Sequence, residues 1–355
     1  MQEGEASVLV PEKHNVTGPG KKGGVFYNRQ MAFNRDVCVS VLQSNGRLRT
    51  ALDAMCASGV RSVRIEKEVP SIERITACDI SRKSTLLAGM NARRNNCSKI
   101  EIVEGNALAC MGESSFDYID IDPFGTPVRF ILPALISVRR GGIIGITATD
   151  TAVLCGSAPG CERRYLSKAR RWPFMHELGV RILAGFVVRM AASIDRAAIP
   201  LLCISVDHYF RLYFRVENGA SLAERMLREN AFAYYDHKTL ERGLTAGDTG
   251  TVAGPMWGGR LHEPSLLKEM RQPPACTNAK RFKKYLELWR AEAEAPPLYY
   301  TLDELSHLLH GYQPKMNELL ASLEGSTRTH FEPKGFKCGL RLSDICDIVM
   351  QHSLG

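Results

Sequence analysis

From Arg47 to Glu217 the chain alternates short apolar runs, most ending in an acidic or polar residue, with segments of helical periodicity. That order is the strongest constraint on its fold. RLRTALDAM (47–55), ERITACDI (73–80), KIEIVEGNA (99–107) and FDYIDIDPFGTP (116–127) each carry a strand, the last stopped by Pro123. Helical segments follow the first three, and RFILPALISVRRG (129–141) reads as another helix. GIIGITATDTA (142–152) is a fifth strand, GVRILAGFVVRMAASIDR (179–196) a long helix, and IPLLCISVDHYFRLYFRVE (199–217) two strands joined near Asp207 and His208. Strand–helix alternation of this kind predicts a doubly wound α/β fold. Its sheet would be seven-stranded and mostly parallel, with the last pair antiparallel at one edge.

After Asn218 the pattern breaks. A helical stretch (221–235), a glycine-rich passage from Gly243 to Gly259 and a basic cluster at Lys280, Arg281, Lys283 and Lys284 lead to the linker-like 295–297 and short mixed elements. With 355 residues, two domains are expected: 1–218, and a second, smaller α+β domain over 219–355.

No run of about 18 apolar residues is present, so no membrane span is expected. The opening MQEGEASVLVPEK lacks the basic and apolar regions of a secretory signal. The eleven cysteines are odd in number and scattered, several within apolar runs, which fits reduced thiols and a cytoplasmic location. A net charge of +8 favours a polyanionic partner, though many basic proteins bind no nucleic acid.

In an open parallel sheet, ligands sit beyond the carboxyl ends of the strands. Four groups occupy those ends. The first is Asp53 with the small-residue loop to Gly59 and Arg61, where one glycine lets backbone approach a ligand. The second is Asp79, about 20 residues beyond that glycine, the spacing of a carboxylate that takes ribose hydroxyls. Asn106 and Ala107 follow the third strand, and Asp122-Pro123-Phe124-Gly125 the fourth. Each has a plainer reading: Asp53 and Asp79 as helix caps, Asn106 as a turn residue, Asp-Pro as a common strand stop.

Asp122-Pro-Phe-Gly is the most specific of the four. An exocyclic base amine is a poor nucleophile because its lone pair is delocalised into the ring. Acceptors must hold its N–H groups and a base must take its proton. A carboxylate followed by proline sets an acceptor and the Pro123 carbonyl on one rigid turn, and Phe124 can stack on the base.

The chain resembles the tRNA (guanine-26-N2)-dimethyltransferases. The likeness runs through Val25-Phe-Tyr-Asn28, Asn34-Arg35-Asp36, Asp53 to Arg61, Asp122-Pro-Phe-Gly-Thr-Pro127, Thr147 to Thr151 and Leu154-Cys-Gly156. It continues in Val206 to Arg211, Gly254-Pro-Met-Trp257 and Ser326 to Phe331. The resemblance implies a Rossmann-like methyltransferase domain and transfer of one or two methyl groups from S-adenosylmethionine to N2 of a tRNA guanosine. It also implies roles. Arg35 would meet the cofactor carboxylate and Arg61 frame that pocket with Asp53. Asp79 would hold the ribose with Ile80 beside it, and Asn106 and Ala107 would sit by the adenine. Asp122 would take the amino proton, with Pro123 and Phe124 holding the base.

Two departures stand out. The family pattern has proline after Phe-Tyr-Asn, where this chain has Arg29. Some relatives carry paired cysteines before the Gly-Pro-x-Trp block; residues 236–257 here have none, and His237 alone cannot supply the roughly four ligands of structural zinc. No metal is expected, and no protein partner is implied.

Two basic stretches with aromatics are candidates for tRNA phosphates, though either could be a solvated helix face: Arg163, Arg164, Lys168, Arg170, Arg171 with Trp172, and Lys280 to Lys284 around Phe282. Three rival readings fit parts of this pattern. A nicotinamide dehydrogenase calls for G-x-G-x-x-G, and residues 56–62 contain one glycine. An amino-methyltransferase with another target fits the same motifs. A tRNA-binding module without activity fits the charge but leaves the ordered strand-end acids unexplained.

Overall fold

The computed structural model describes residues 1–11, 24–248 and 250–353; Thr249, in the glycine-rich passage, lies outside them. A two-stranded hairpin, β1 (Gln2–Glu3) and β2 (Ala6–Ser7), precedes α1 (Ala32–Gln43). The central unit then runs β3 (Thr50–Asp53), α2 (Val60–Glu68), β4 (Arg74–Asp79), α3 (Arg82–Arg94), β5 (Ile100–Glu104), α4 (Ala107–Glu113), β6 (Phe116–Ile121), α5 (Val128–Ser137) and β7 (Val138–Ala148). Short helices α6 (Thr151–Leu154) and α7 (Cys161–Tyr165) lead to α8 (Met175–Ala192), β8 (Arg196–Val206) and β9 (Tyr209–Asn218).

These strands form one seven-stranded sheet in the order β5-β4-β3-β6-β7-β9-β8, with β9 antiparallel to both neighbours and the other pairs parallel. From β3 the chain winds outward to β4 and β5, then returns to β6 on the other side. The carboxyl ends of β3 and β6 therefore flank the switch point, where such folds bind ligands. β9 is interior and both its faces are buried: Tyr209, Phe210, Arg211, Tyr213 and Phe214 are each at most 3% exposed.

The amino-terminal hairpin is tied in by charge. Arg64, fully buried, meets Glu68 at 2.7 Å and Asp36 at 2.8 Å, while Glu3 takes the Arg35 guanidinium at 2.5 and 2.6 Å. Asp36 is thus paired with Arg64 and not with its chain neighbour Arg35. It also accepts from the Thr277 amide at 3.1 Å.

Past Asn218 come α9 (Ala220–Arg228) and a three-stranded sheet of β10 (Asn230–Tyr235), β11 (Arg242–Thr245) and β12 (Val252–Trp257), then α10 (Pro264–Glu269) and α11 (Ala279–Glu292). A second three-stranded sheet combines β13 (Tyr300–Thr301), β14 (Thr327–Arg328) and β15 (Gly335–Lys337), with α12 (Leu302–Leu308), α13 (Met316–Ser322) and α14 (Leu342–Ser353). One apolar core runs through both parts: Phe210, Phe214 and Phe186 share a cluster with Met256, Trp257 and Phe336. Gly185 of α8 permits this contact, since a Cβ there would lie 2.6 Å from the Trp257 nitrogen.

The exposed edge of β8 is covered by side chain and backbone together. The Ser205 amide donates to His330 Nε2 at 3.1 Å and the Cys203 amide to the Leu261 carbonyl at 3.0 Å. His262, Glu292 and His330 bring ligand-type atoms within 4.8 Å of one another. The Ser205 bond occupies the Nε2 lone pair, so His330 carries its proton on Nδ1 and gives it to Glu292. No lone pair of His330 is left for a cation.

Both nitrogens of buried His262 lack a hydrogen-bond partner among the described residues. Burial, only partly countered by Glu292, pushes its pKa down to about 3 from 6.5. The unfolded chain therefore binds this proton more readily between those values, and the contribution to stability falls as pH drops through that window. His262→Gln should flatten the pH dependence of urea unfolding, the difference from wild type reaching about 2 kcal/mol between pH 6.5 and 5. Parallel profiles would show that His262 is not the responsible group.

Candidate functional site

A cleft of about 690 Å³ opens at the carboxyl ends of β3, β4, β5 and β6. Asp79, Ile80, Asn106, Ala107, Asp122, Pro123 and Phe124 all line it. So do Phe26, Asn28 and Met31 from the segment before α1, and Asp207, His208 and Tyr209 from the β8–β9 turn. The sequence did not single out Phe26 or the Asp207 turn for this cleft. The signal available was their place within the matching blocks at residues 25–28 and 206–211.

The loop after β3 is tight. Gly59 has φ +72° as it enters α2, and a Cβ there would lie 2.8 Å from the Cβ of Ala88, so glycine lets α2 and α3 touch. Asp79 fastens the loop: one oxygen accepts from the Ala57 amide at 2.9 Å and the other from the Ser81 amide at 2.9 Å. Asp79 is not the cap of α3: Ser81 holds that position without a side-chain cap bond, and Asp79 holds the Ser81 amide instead. Two backbone donors fix its orientation, and each oxygen keeps a lone pair for a hydroxyl of a ligand. Ile80 beside it is 77% exposed, an apolar wall facing water. Asn106 caps α4, accepting from the Leu108 amide at 3.0 Å.

The β6 turn is pinned on both sides. The Gly125 amide donates to Thr149 Oγ1 at 2.8 Å, and the Thr149 amide donates back to the Gly125 carbonyl at 3.0 Å. Phe124, 59% exposed, meets Phe26 edge to face at 4.7 Å. Two rings at the mouth suit a flat aromatic ligand. Asp122 accepts from Arg61 Nη2 at 2.5 Å through one oxygen, while its side chain stays 22% exposed.

Asp53 and Arg61 lie beneath the lining rather than in it, at 3% and 5% exposure. Ser62 donates to Asp53 at 2.7 Å. Burial pushes the Asp53 carboxyl up to about 6, with Arg61 opposing and Asp120 and Asp122 adding to the rise.

Arg35, expected at a cofactor carboxylate, stands behind the wall. Glu3 takes two of its N–H groups, and Nη2 also donates to the Asn28 carbonyl at 3.2 Å. Its charge is already neutralised, and it supports the segment lining the cleft. Arg29 fits this segment without proline: Asn28 caps a 3-10 turn over Arg29–Met31 by accepting from the Gln30 amide at 2.9 Å.

The aromatic members of the two basic stretches are packed inside. Trp172 is 6% exposed against Phe174 and Tyr235, and Phe282 is fully buried. Neither can stack on an external base, because each fills the core its own helix or loop must cover. Arg163 and Arg171 remain exposed, as do Lys280, Lys283 and Lys284 on the outer face of α11. That face reaches the cleft through Arg281, which pairs with Asp207 at 2.8 Å.

Residues 4–350 match the family model described as N2,N2-dimethylguanosine tRNA methyltransferase. A tRNA (guanine(26)-N(2))-dimethyltransferase of Thermococcus kodakarensis is 33% identical, with 98% of each chain covered. The Aquifex aeolicus relative, tRNA (guanine(26)-N(2)/guanine(27)-N(2))-dimethyltransferase, is 32% identical over 97% of this chain and 94% of its own. The structure of Trm1 from Pyrococcus horikoshii with S-adenosyl-L-methionine superposes with a TM-score of 0.88, at 32% identity and 98% coverage of both chains.

Proposed function

The chain belongs to the N2,N2-dimethylguanosine tRNA methyltransferase family, and from that premise we propose that its cleft transfers methyl groups from S-adenosylmethionine to N2 of guanosine 26 in tRNA. The observation that carries the reading is one cleft lined by the Asp79 and Asn106 strand ends and by the Asp122-Pro123-Phe124 turn.

The residues suit the donor. Asp79 offers carboxylate oxygens to ribose hydroxyls, Ile80 a flat apolar wall, and Asn106 with Ala107 an edge for the adenine. The carboxylates of Asp53, Asp120 and Asp122 outnumber the guanidiniums of Arg61 and Arg211 around them, which favours a cation. Arg35 and Arg61 act from behind this lining. When bound, S-adenosylmethionine supplies a methyl group on a positively charged sulfur.

Phe124 and Phe26 flank the incoming guanine, the Pro123 carbonyl and Asp122 accept from its amino group, and Asp122 takes the proton as the nitrogen becomes bonded to carbon. The base must be flipped out to reach this turn, at a cost of a few kcal/mol. Exposed lysines of α11 track tRNA phosphates together with Arg163 and Arg171 of the first domain, so the part over 219–355 shares in tRNA binding. No helix among the described residues is long and apolar enough to cross a membrane, and all eleven cysteines are free thiols. Both support work in a reducing cytoplasm, where tRNA is processed.

Incubation with labelled S-adenosylmethionine and unmodified tRNA, followed by nucleoside mapping, should yield N2-methylated guanosine at position 26. N6-methyladenosine would overturn the assignment, and failure of the folded protein to retain labelled cofactor would favour a binding module. Label at position 27 as well would place the chain beside the Aquifex relative. Asp79→Ala should weaken cofactor binding roughly 10- to 100-fold by calorimetry, the loss expected for hydrogen bonds to a charged group. An unchanged Kd would remove Asp79 from the ribose.

A further inference from the structure

Beneath Asp122 lies a closed ring of buried side chains drawn from five elements. Arg61 of α2 donates to Asn34 Oδ1 of α1 at 3.1 Å, and Asn34 Nδ2 reaches Thr147 Oγ1 of β7 at 3.4 Å. Arg211 of β9 donates to the same Thr147 oxygen at 3.0 Å and pairs with Asp120 of β6 at 2.5 Å. Asp120 closes the ring on Arg61 Nε at 3.2 Å. Every member is at most 6% exposed, except that Arg61 reaches outward to Asp122 in the cleft. Charge alternates along the path Arg211, Asp120, Arg61, Asp122.

Burying two guanidiniums and a carboxylate is a poor way to gain stability, since desolvation consumes most of the Coulombic return. What such a ring supplies is direction. Arg61 is held on three sides by Asn34, Asp120 and Asp122, so the Asp122 carboxylate cannot rotate without breaking a short charged bond. The fold makes room for this arrangement. A Cβ on Gly145, inside β7, would lie 2.5 Å from Arg211 Nη2 and 2.7 Å from the Tyr118 hydroxyl. A glycine inside a strand weakens it, and it is kept where another group must approach closely.

We infer that Asp120 and Arg211 are positioning residues for methyl transfer: acting through Arg61, they fix the direction in which Asp122 faces the target amine. This rests on the role proposed above for Asp122. Asp120→Asn is expected to lower kcat roughly a hundredfold, the scale of a misplacement near 1 Å, while KM for tRNA and the cofactor Kd stay within about threefold. Gly145→Ala keeps every charge and crowds Arg211 together with the Tyr118 hydroxyl that it donates to, so it should lower kcat by about tenfold with the same selectivity. Arg211→Lys retains the charge but not the fork joining Thr147 to Asp120, and should not rescue.

Thermal unfolding of each variant separates a folding defect from a catalytic one. A variant that unfolds early but keeps wild-type kcat in its folded fraction counts against positioning. If Asp120→Asn fails to fold, Gly145→Ala decides. Wild-type kcat in a folded ring variant, with Asp122→Ala inactive, overturns the inference. An active Asp122→Ala would instead remove the reading of the site on which it rests.

Discussion

Asp122→Ala should lose roughly 10²- to 10⁴-fold in methyl transfer measured under single turnover, the range set by removing a general base. Its affinity for S-adenosylmethionine should stay within about threefold, because Asp79, Ile80 and Asn106, which we assign to the cofactor, remain in place. Other acids in the cleft cannot substitute. Asp79 is turned toward the Ala57 and Ser81 amides, and Asp207 is bound to Arg281. One oxygen of Asp122 is taken by Arg61, and the other is the oxygen left for an incoming N–H. Asp122→Asn keeps an acceptor but takes no proton, so it should fall between alanine and wild type. Arg61 retains Asp120 in either variant, which limits the structural damage. Transfer by Asp122→Ala at a wild-type rate would refute the role given to this carboxylate.

The sheet was readable because each strand is a short apolar run closed by a turn residue, and those turn residues also line the cleft. Asp79, Asn106 and Asp122 were found together for that reason. What lay outside reach depended on contacts distant in sequence. Nothing local distinguishes an arginine aimed at a ligand from one aimed at Glu3, which sits 32 residues away from Arg35. Trp172 lies among arginines, where local composition suggests a surface, yet its ring belongs to the core shared with Tyr235. The reach of β7 was also underestimated. Expected to start near Gly142, it begins at Val138, because the preceding α5 ends at Ser137 while the polar Arg139 and Arg140 still continue as strand at the sheet margin. Arg211 looked like one residue of an alternating strand; only the pairing of β9 with β7 places it over Thr147 and Asp120.

Gly59→Ala should be the most damaging single-methyl change in the loop between β3 and α2. The position has φ +72°, which costs a side-chain-bearing residue about 1–2 kcal/mol. The new Cβ would also stand 2.8 Å from the Cβ and 2.9 Å from the Cα of Ala88, and the second of these is backbone. Relief requires α2 and α3 to separate, at the 1–3 kcal/mol typical of overpacking, for a total of about 2–5 kcal/mol in urea unfolding. The same movement pulls Ala57 away from Asp79 and spoils the carboxylate held between them. Cofactor affinity should therefore fall at least about tenfold in protein that is still folded. Gly89→Ala supplies the control, one position past Ala88 in α3. Its Cβ would meet only the Arg93 guanidinium at 3.9 Å, so helix propensity alone predicts a neutral result or a gain of up to about 1 kcal/mol. If both variants unfolded at the wild-type midpoint and bound cofactor equally, the close approach of α2 to α3 would not be what shapes the loop.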